Sequence, residues 1–262
     1  MDRWTWLALF GLAGCTALPS PPAAVHTYLF SAPFPAPRRG PGPVLLIPTP
    51  RAAAGYDRPG IAYRRSPTRL DYYAASEWAD EPARLIEPLI IAATEASGGF
   101  EAVVSAGTGL TAEIRLDTEI VRIEHELQSA PSQGRLTLRA QLVDVVRGRV
   151  IGTQIFDASV PSRSDDAEGA VAAIDTALAR VLEQVVAFCL NSTGDQRERR
   201  RTAALLPVKE RTLSTWEAGK RTPPVTYWPA IMELVEGGAG VPFPLTRGAV
   251  FIPFFITRSD HT

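Results

Sequence analysis

The fold is decided by Tyr56-Asp57-Arg58-Pro59-Gly60-Ile61-Ala62-Tyr63-Arg64-Arg65, continued by Arg69-Leu70-Asp71-Tyr72-Tyr73 and closed by Trp78-Ala79-Asp80. Asp57, Pro59 and Gly60 are turn formers. Ile61-Ala62-Tyr63 and Leu70-Asp71-Tyr72-Tyr73 carry the β-branched and aromatic side chains that suit a pleated, half-buried surface. The stretch reads as a turn, a strand, a tight connection, a second strand and the start of a helix. Asp80 offers a side-chain oxygen to the free amides of that helix, and Pro82 suits its first turn. The run holds no histidine, no cysteine and no carboxylate pair placed for acid–base work, so it reads as a folding and docking module.

Downstream, the helix is expected to run to about residue 97, where Gly98-Gly99 ends it. Leu85, Leu89 and Ala93 share one face, with Ile86 and Ile90 beside them, which predicts packing on a sheet. Pro88 inside this helix should kink or split it. Upstream, residues 26–30 form a short strand and residues 44–48 a continuous apolar run of central-strand type. Another strand starts at residues 100–104. Residues 114–127 alternate with Ile114, Leu116 and Ile120 on one face, and then with Val121, Ile123 and Leu127. That change of phase predicts a β-bulge or bend near Ile120. Leu136, Leu138, Ala140 and Leu142 alternate with polar residues. Arg147-Gly148-Arg149 then turns the chain into residues 150–160, giving a hairpin.

The last core element is the clearest helix. Asp165 and Glu168 have capping-box spacing, and Val171, Ile174, Leu178, Val181, Val185 and Phe188 form an apolar stripe with Cys189 beside it as a small core hydrophobe. Hairpin-joined strands with two long helices predict an α+β fold. The expected architecture is an antiparallel sheet with both helices packed on one face, plus an irregular helical C-terminal extension.

With 262 residues and 45% apolar content the chain can bury a real core, and a net charge of −1 provides no global field for nucleic acid. Cys15 and Cys189 allow at most one disulfide. His26, His125 and His261 are scattered, without a neighbouring nucleophile or metal spacing, so no catalytic residue, metal site or cofactor is expected.

The first residues carry Arg3, an apolar run from Trp4 to Leu12 too short to span a bilayer, and then small residues, the pattern of an export signal. Leu12-Ala13-Gly14-Cys15 resembles the bacterial lipoprotein lipobox. That resemblance implies acylation of the Cys15 thiol and amino group, with cleavage before it. Thr16 after the cysteine favours the periplasmic face of the outer membrane over the inner membrane. Residues 17–24, with three prolines, form a stiff tether.

The lipobox, Tyr28-Leu29, the apolar strand before Pro48, Gly60-Ile61-Ala62-Tyr63-Arg64, Leu70-Asp71-Tyr72-Tyr73, Trp78-Ala79, the Pro82 helix and the terminal amphipathic helix occur in that order. Over residues 12–190 this resembles the ABC-type transport auxiliary lipoproteins, the PqiC-like group. The resemblance implies a non-enzymatic, lipid-anchored periplasmic subunit working with an MCE-domain protein and inner-membrane transporter components to move lipids or other hydrophobic compounds. A homo-oligomer is compatible with it. The implied organisation is a signal peptide (1–14), a tether (15–25), an α+β domain (26–192) and a C-terminal extension (193–262).

Two fates are open for the aromatics of the opening stretch. They pack in the core, or some of Tyr63, Tyr72, Tyr73 and Trp78 dock the partner with Arg64, Arg65 and Arg69 on a basic rim. After Leu190 the composition shifts to a charged, basic-leaning segment. Residues 212–223 then resemble the second half of a repressor-type helix-turn-helix, which would bring Arg211, Thr212, Ser214 and Thr215 to a major groove. The preceding helix is shortened and contains Pro207, and an exported chain meets no DNA. A DNA-binding regulator through residues 208–236 and an envelope-assembly lipoprotein are the alternative readings. The tail, residues 241–262, has one apolar run, 249–256, broken by Pro253.

Overall fold

The structure, a computed structural model, describes residues 24–31, 36–205, 211–212, 215, 227, 246–247 and 250–251. Helix α1 spans Pro82–Ala96 and helix α2 spans Ala167–Leu205. One nine-stranded sheet contains β1 (His26–Tyr28), β2 (Val44–Ile47), β3 (Arg51–Ala52), β4 (Gly60–Ser66), β5 (Arg69–Trp78), β6 (Ala102–Ser105), β7 (Ile114–Glu126), β8 (Gln133–Asp144) and β9 (Arg149–Pro161). The short strands β10 (Thr246–Arg247) and β11 (Val250–Phe251) pair with each other.

The sheet is built on β7. Along one side it pairs antiparallel with β8 over its whole length, and β8 pairs antiparallel with β9. The other side is shared end to end by three parallel strands: β2 beside Ile114, β3 beside Ile120 and β4 beside His125. β6 extends the β2 branch, while β5 and then β1 extend the β4 branch. The expected α+β architecture is present. The long strands are antiparallel, and parallel pairing is confined to short joins. Alternation reports which face a residue occupies but not strand direction, so those joins leave no trace in the sequence.

Both helices cover one face. α1 lies against β2, β3 and β6, α2 crosses β7 to β9, and the helices touch each other. Ile86, Leu89 and Ile90 of α1 meet Leu45, Ile47, Leu116 and Ile120, while Ile174, Leu178, Val181 and Val185 of α2 meet Leu136, Leu138 and Phe156 in the same core. Gly134 allows the close approach of α2: a Cβ there would lie 2.6 Å from the Ala173 Cβ and the Ile174 backbone nitrogen. Cys189 is buried and unpaired, and burial pushes its thiol up to about 12. The opposite face is solvated and carries the pairs Arg115–Asp117, Arg139–Glu119 and Arg135–Asp157.

Four local expectations are corrected. Asp80 does not cap α1. Glu81 occupies the cap position without a side-chain bond, and the Asp80 carboxylate accepts the Glu81 N–H at 2.7 Å. Pro88 does not split α1, because it and Arg84 both lie on exposed positions, where water can take the Arg84 carbonyl that the ring leaves unbonded. The bulge lies between Ile120 and Arg122, but Val121 is its extra, exposed residue, and Ile123 with His125 takes the inward positions. α2 is capped by Asp166, which accepts the Gly169 N–H at 2.8 Å, while Asp165 is engaged elsewhere. The helix end itself is as expected: α1 stops at Ser97, and Gly98 follows with φ of 66°.

Candidate functional site

The bulge at Val121 sets the phase for the last residues of β7, so that Glu124 faces the helix-free side and His125 the helix side. Both are fully buried, and each gathers a polar cluster from the opening stretch.

On the helix-free side, the loop of residues 53–59 folds back over the sheet. The Tyr72 hydroxyl donates to the Gly55 carbonyl at 2.9 Å, and the Arg58 guanidinium lies 4.5 Å from the Tyr72 ring centroid. Tyr56 is thereby buried, and its hydroxyl donates to Glu124 Oε2 at 2.5 Å. Arg64 Nη2 donates to the same oxygen at 2.7 Å. Arg122 faces Oε1 at 3.5 Å, an ion pair without a hydrogen bond. Burial, reinforced by the Glu124 bond, pushes the Tyr56 hydroxyl up to about 12, so it stays a donor. A carboxylate taken out of water needs such compensation, and Arg64 supplies it.

On the helix side, Tyr73, His125, Ser132 and Asp165 form a chain. Tyr73 Oη lies 2.8 Å from His125 Nδ1, His125 Nε2 lies 3.0 Å from Ser132 Oγ, and the Ser132 hydroxyl donates to Asp165 Oδ1 at 2.5 Å. The direction follows from proton counting. Ser132 spends its one proton on Asp165, so His125 Nε2–H must donate to Ser132. Nδ1 is then bare and accepts the Tyr73 hydroxyl. Burial lowers the His125 pKa, partly opposed by Asp165 and Asp166, which matches a neutral ring. Burial pushes the Tyr73 hydroxyl up to about 12.

The chain contains the residue types of a hydrolytic triad but runs the wrong way for one. A nucleophilic serine must give its proton to histidine. Here the histidine donates to the serine, and both are buried. The arrangement joins β5, β7 and the start of α2 and presents no activated nucleophile. Among the described residues no group of three or more His, Cys, Asp or Glu side chains is placed to hold a metal, and no helix is long and apolar enough to cross a membrane.

The structure separates the residues expected to dock a partner. Trp78 is a core residue, 2% exposed and stacked on Phe30 at 4.6 Å, which corrects its place among them. Arg64 is drawn inward by Glu124 and is not a free rim cation. Tyr72 and Tyr73 are half-buried and hydrogen-bonded. Tyr63 packs on Tyr73 at 4.8 Å, and the exposed Arg65 lies 5.4 Å from the Tyr63 ring centroid. Of the residues expected to dock, Arg65 is exposed and Tyr63 is half-buried beneath it. The lipobox residues Leu12, Ala13, Gly14 and Cys15 lie outside the described residues, as does Ser214; Arg211, Thr212 and Thr215 are helical.

Sequence reasoning missed Tyr56, Glu124, His125, Ser132 and Asp165. The available signal was Glu124-His125 itself, two adjacent polar residues continuing an alternating strand just past its change of phase.

The family model of the ABC-type transport auxiliary lipoprotein component matches residues 28–186, from the end of β1 into α2. The chain belongs to this family. As an auxiliary lipoprotein it is a component of ABC-type transport and is placed in the cell envelope. Among solved structures it is similar to a Xanthomonas campestris protein of the DUF330 family, at 28% identity, covering 67% of this chain and 98% of that one, with a TM-score of 0.57. It also shares its fold with a second crystal structure of an uncharacterized protein, at 12% identity, covering 63% and 99% of the two chains, with a TM-score of 0.50. No curated protein matches the chain. The family match ends before residues 208–236 and lends no support to the DNA-binding reading.

Proposed function

We propose that this auxiliary lipoprotein is a non-catalytic, lipid-anchored accessory subunit on the periplasmic face of the outer membrane. It serves an MCE/ABC-type system that moves lipids or other hydrophobic compounds between membranes. The observation that carries the reading is the family match across residues 28–186 of the α+β unit. The segment just after β1 also supports it. The Ser31 N–H donates to Asp175 on α2 at 3.0 Å, the Ser31 hydroxyl donates to the same carboxylate, and Phe30 stacks on Trp78. An acylated Cys15 would therefore hold a rigid body through a short tether.

Tyr63 and Arg65, with Tyr73 behind them, form the surface through which the subunit meets its MCE partner, while Tyr72 lies on the other face of the sheet. In cells fed labelled palmitate, the wild-type chain is expected to carry label and to fractionate with membranes. Cys15→Ala is expected to lose the label and move to the soluble periplasm. An unlabelled wild-type chain recovered from the cytoplasm overturns the proposal. Arg65→Glu is expected to reduce co-purification with the MCE protein without changing membrane fractionation.

A further inference from the structure

The end of the sheet where β7 begins carries an apolar tip unrelated to the clusters above. The turn between β8 and β9 exposes Val145 and Val146, the start of β9 exposes Val150, and the β6–β7 loop adds Leu110; Val146 and Leu110 are 70% and 62% exposed. The Val145 N–H donates to the Glu113 carbonyl at 2.9 Å, tying the two loops together. Arg147 and Arg149 lie 3.2 and 3.8 Å from the buried Asp144 carboxylate, which offsets one of their two positive charges.

The course of α2 indicates what covers this tip. Ala173 lies at Gly134, at the far end of β8, and Phe188 lies at Gly152, beside the tip. Thr193 and Arg197 line one depression with Glu113, the residue that binds Val145. α2 therefore delivers the chain to this end of the sheet, and its last residue, Leu205, lies only about 12 Å of helix rise beyond Arg197. The chain beyond it is long enough to return. It contains Val250-Phe251-Ile252-Pro253-Phe254-Phe255-Ile256, and no charge lies between Arg247 and Arg258.

We propose that this C-terminal run docks in cis on the tip formed by Leu110, Val145, Val146 and Val150. Aliphatic side chains meet aromatic ones, and the uncharged segment brings no charge of its own into the contact. Covalent linkage makes the contact intramolecular, so it forms without the entropic cost of bringing two molecules together. A bilayer fits less well: the tip has no Trp or Tyr for a headgroup belt, and its arginines already face a carboxylate. A symmetric tip-to-tip dimer fits less well too. β1 runs antiparallel to β7, so the tether enters from the side where β7 ends, and such a dimer would send its two tethers to opposite ends.

The test places a benzophenone amino acid at Val146 of the full chain in cells, irradiates, and digests with trypsin. Cleavage at Arg247 and Arg258 releases the apolar run as a single peptide, residues 248–258. The expected result is an adduct between that peptide and the 146 peptide in material migrating as one chain. Phe254→Asp with Phe255→Asp is expected to lower its yield about tenfold. Adducts solely with lipid, with another protein or with a second copy overturn the proposal, as does no adduct or a yield unchanged by the aspartates.

Discussion

Glu124 and His125 are neighbours in β7, both fully out of water, and they are accommodated in opposite ways. Glu124 is held by charge, with Arg64 and Arg122 around it and Tyr56 donating a proton it keeps. His125 is held by neutrality, with Tyr73 and Ser132 matched to its two ring nitrogens and formal charge deferred to Asp165 at the surface. The first cluster locks a loop onto the sheet, and the second locks the start of α2 onto strand ends. The contrast implies different weaknesses. Truncating a partner should hurt the charged cluster most, because it leaves a buried ion. Changing pH should hurt the neutral one, because it forces a charge into a site built without one.

The largest expected effect breaks the charged side. Arg64→Ala should destabilise the chain by about 3–5 kcal/mol, towards the lower figure because Arg122 stays nearby. Replacing both partners, Arg64→Met with Glu124→Met, should cost much less than Arg64→Ala alone. Urea unfolding followed by circular dichroism measures both. A single variant no worse than the double one would mean that Glu124 is not compensated by charge. The next effect tests the packing over the neutral side. Gly134→Ala sets a Cβ against the Ala173 Cβ and the Ile174 backbone, and overpacking of this kind costs about 1–3 kcal/mol. A neutral result in the same assay would show that α2 is free to shift, and with it the Ser132–Asp165 bond.

The pH dependence then separates the clusters directly. His125 has its pKa lowered by burial, so the unfolded chain binds its proton first as pH falls. Stability is present above the usual histidine pKa, about 6.5, and declines below it, by at most about 1.4 kcal/mol per pH unit for one proton. Unfolding midpoints between pH 7.5 and 5 should fall for the wild-type chain and stay flatter for His125→Gln. An equal slope in His125→Gln would place the titration elsewhere.

How much of this was legible depends on what alternation can encode. Leu136, Leu138, Ala140 and Leu142 announced their strand and the buried face of it, and the stripe from Ile174 to Val185 announced α2, because each pattern repeats with its own period. The bulge was legible as a change of phase, but Val121 was not legible as the residue pushed out, since an aliphatic side chain on either face keeps the pattern. Trp78 read as a docking residue because composition does not distinguish a stacked core indole from an exposed one. The Tyr73–His125–Ser132–Asp165 chain was invisible for a different reason. It joins residues far apart in sequence across β5, β7, a loop and α2, and its parallel contact of β4 with β7 has no local signature. No spacing rule connects those positions.

The smallest expected effect sharpens the boundary of the neutral cluster, at two adjacent aspartates that sequence could not tell apart. Asp165 accepts the Ser132 hydroxyl, whereas Asp166 accepts the Gly169 N–H and the Ser164 hydroxyl and caps α2. The Gly169 amide, then Ser164, holds the Asp166 carboxyl below the usual carboxylate range. A depressed carboxyl pKa contributes stability above its unfolded value and loses it as pH falls through the folded value, so this contribution disappears only in strong acid, well below the histidine window. Asp166→Ala should lower Tm by about 2–4 °C at neutral pH, and Asp166→Asn, a comparable cap, should restore most of it. Neither substitution should change the slope between pH 7.5 and 5. Asp165→Asn keeps an acceptor for Ser132 but removes the carboxylate that most raises the His125 pKa, so it should leave Tm nearly intact at pH 7.5 and deepen the loss towards pH 5. If Asp166 rather than Asp165 steepened that slope, the electrostatic end of the chain would lie at the helix cap, and the separation of the capping and relay roles would fail.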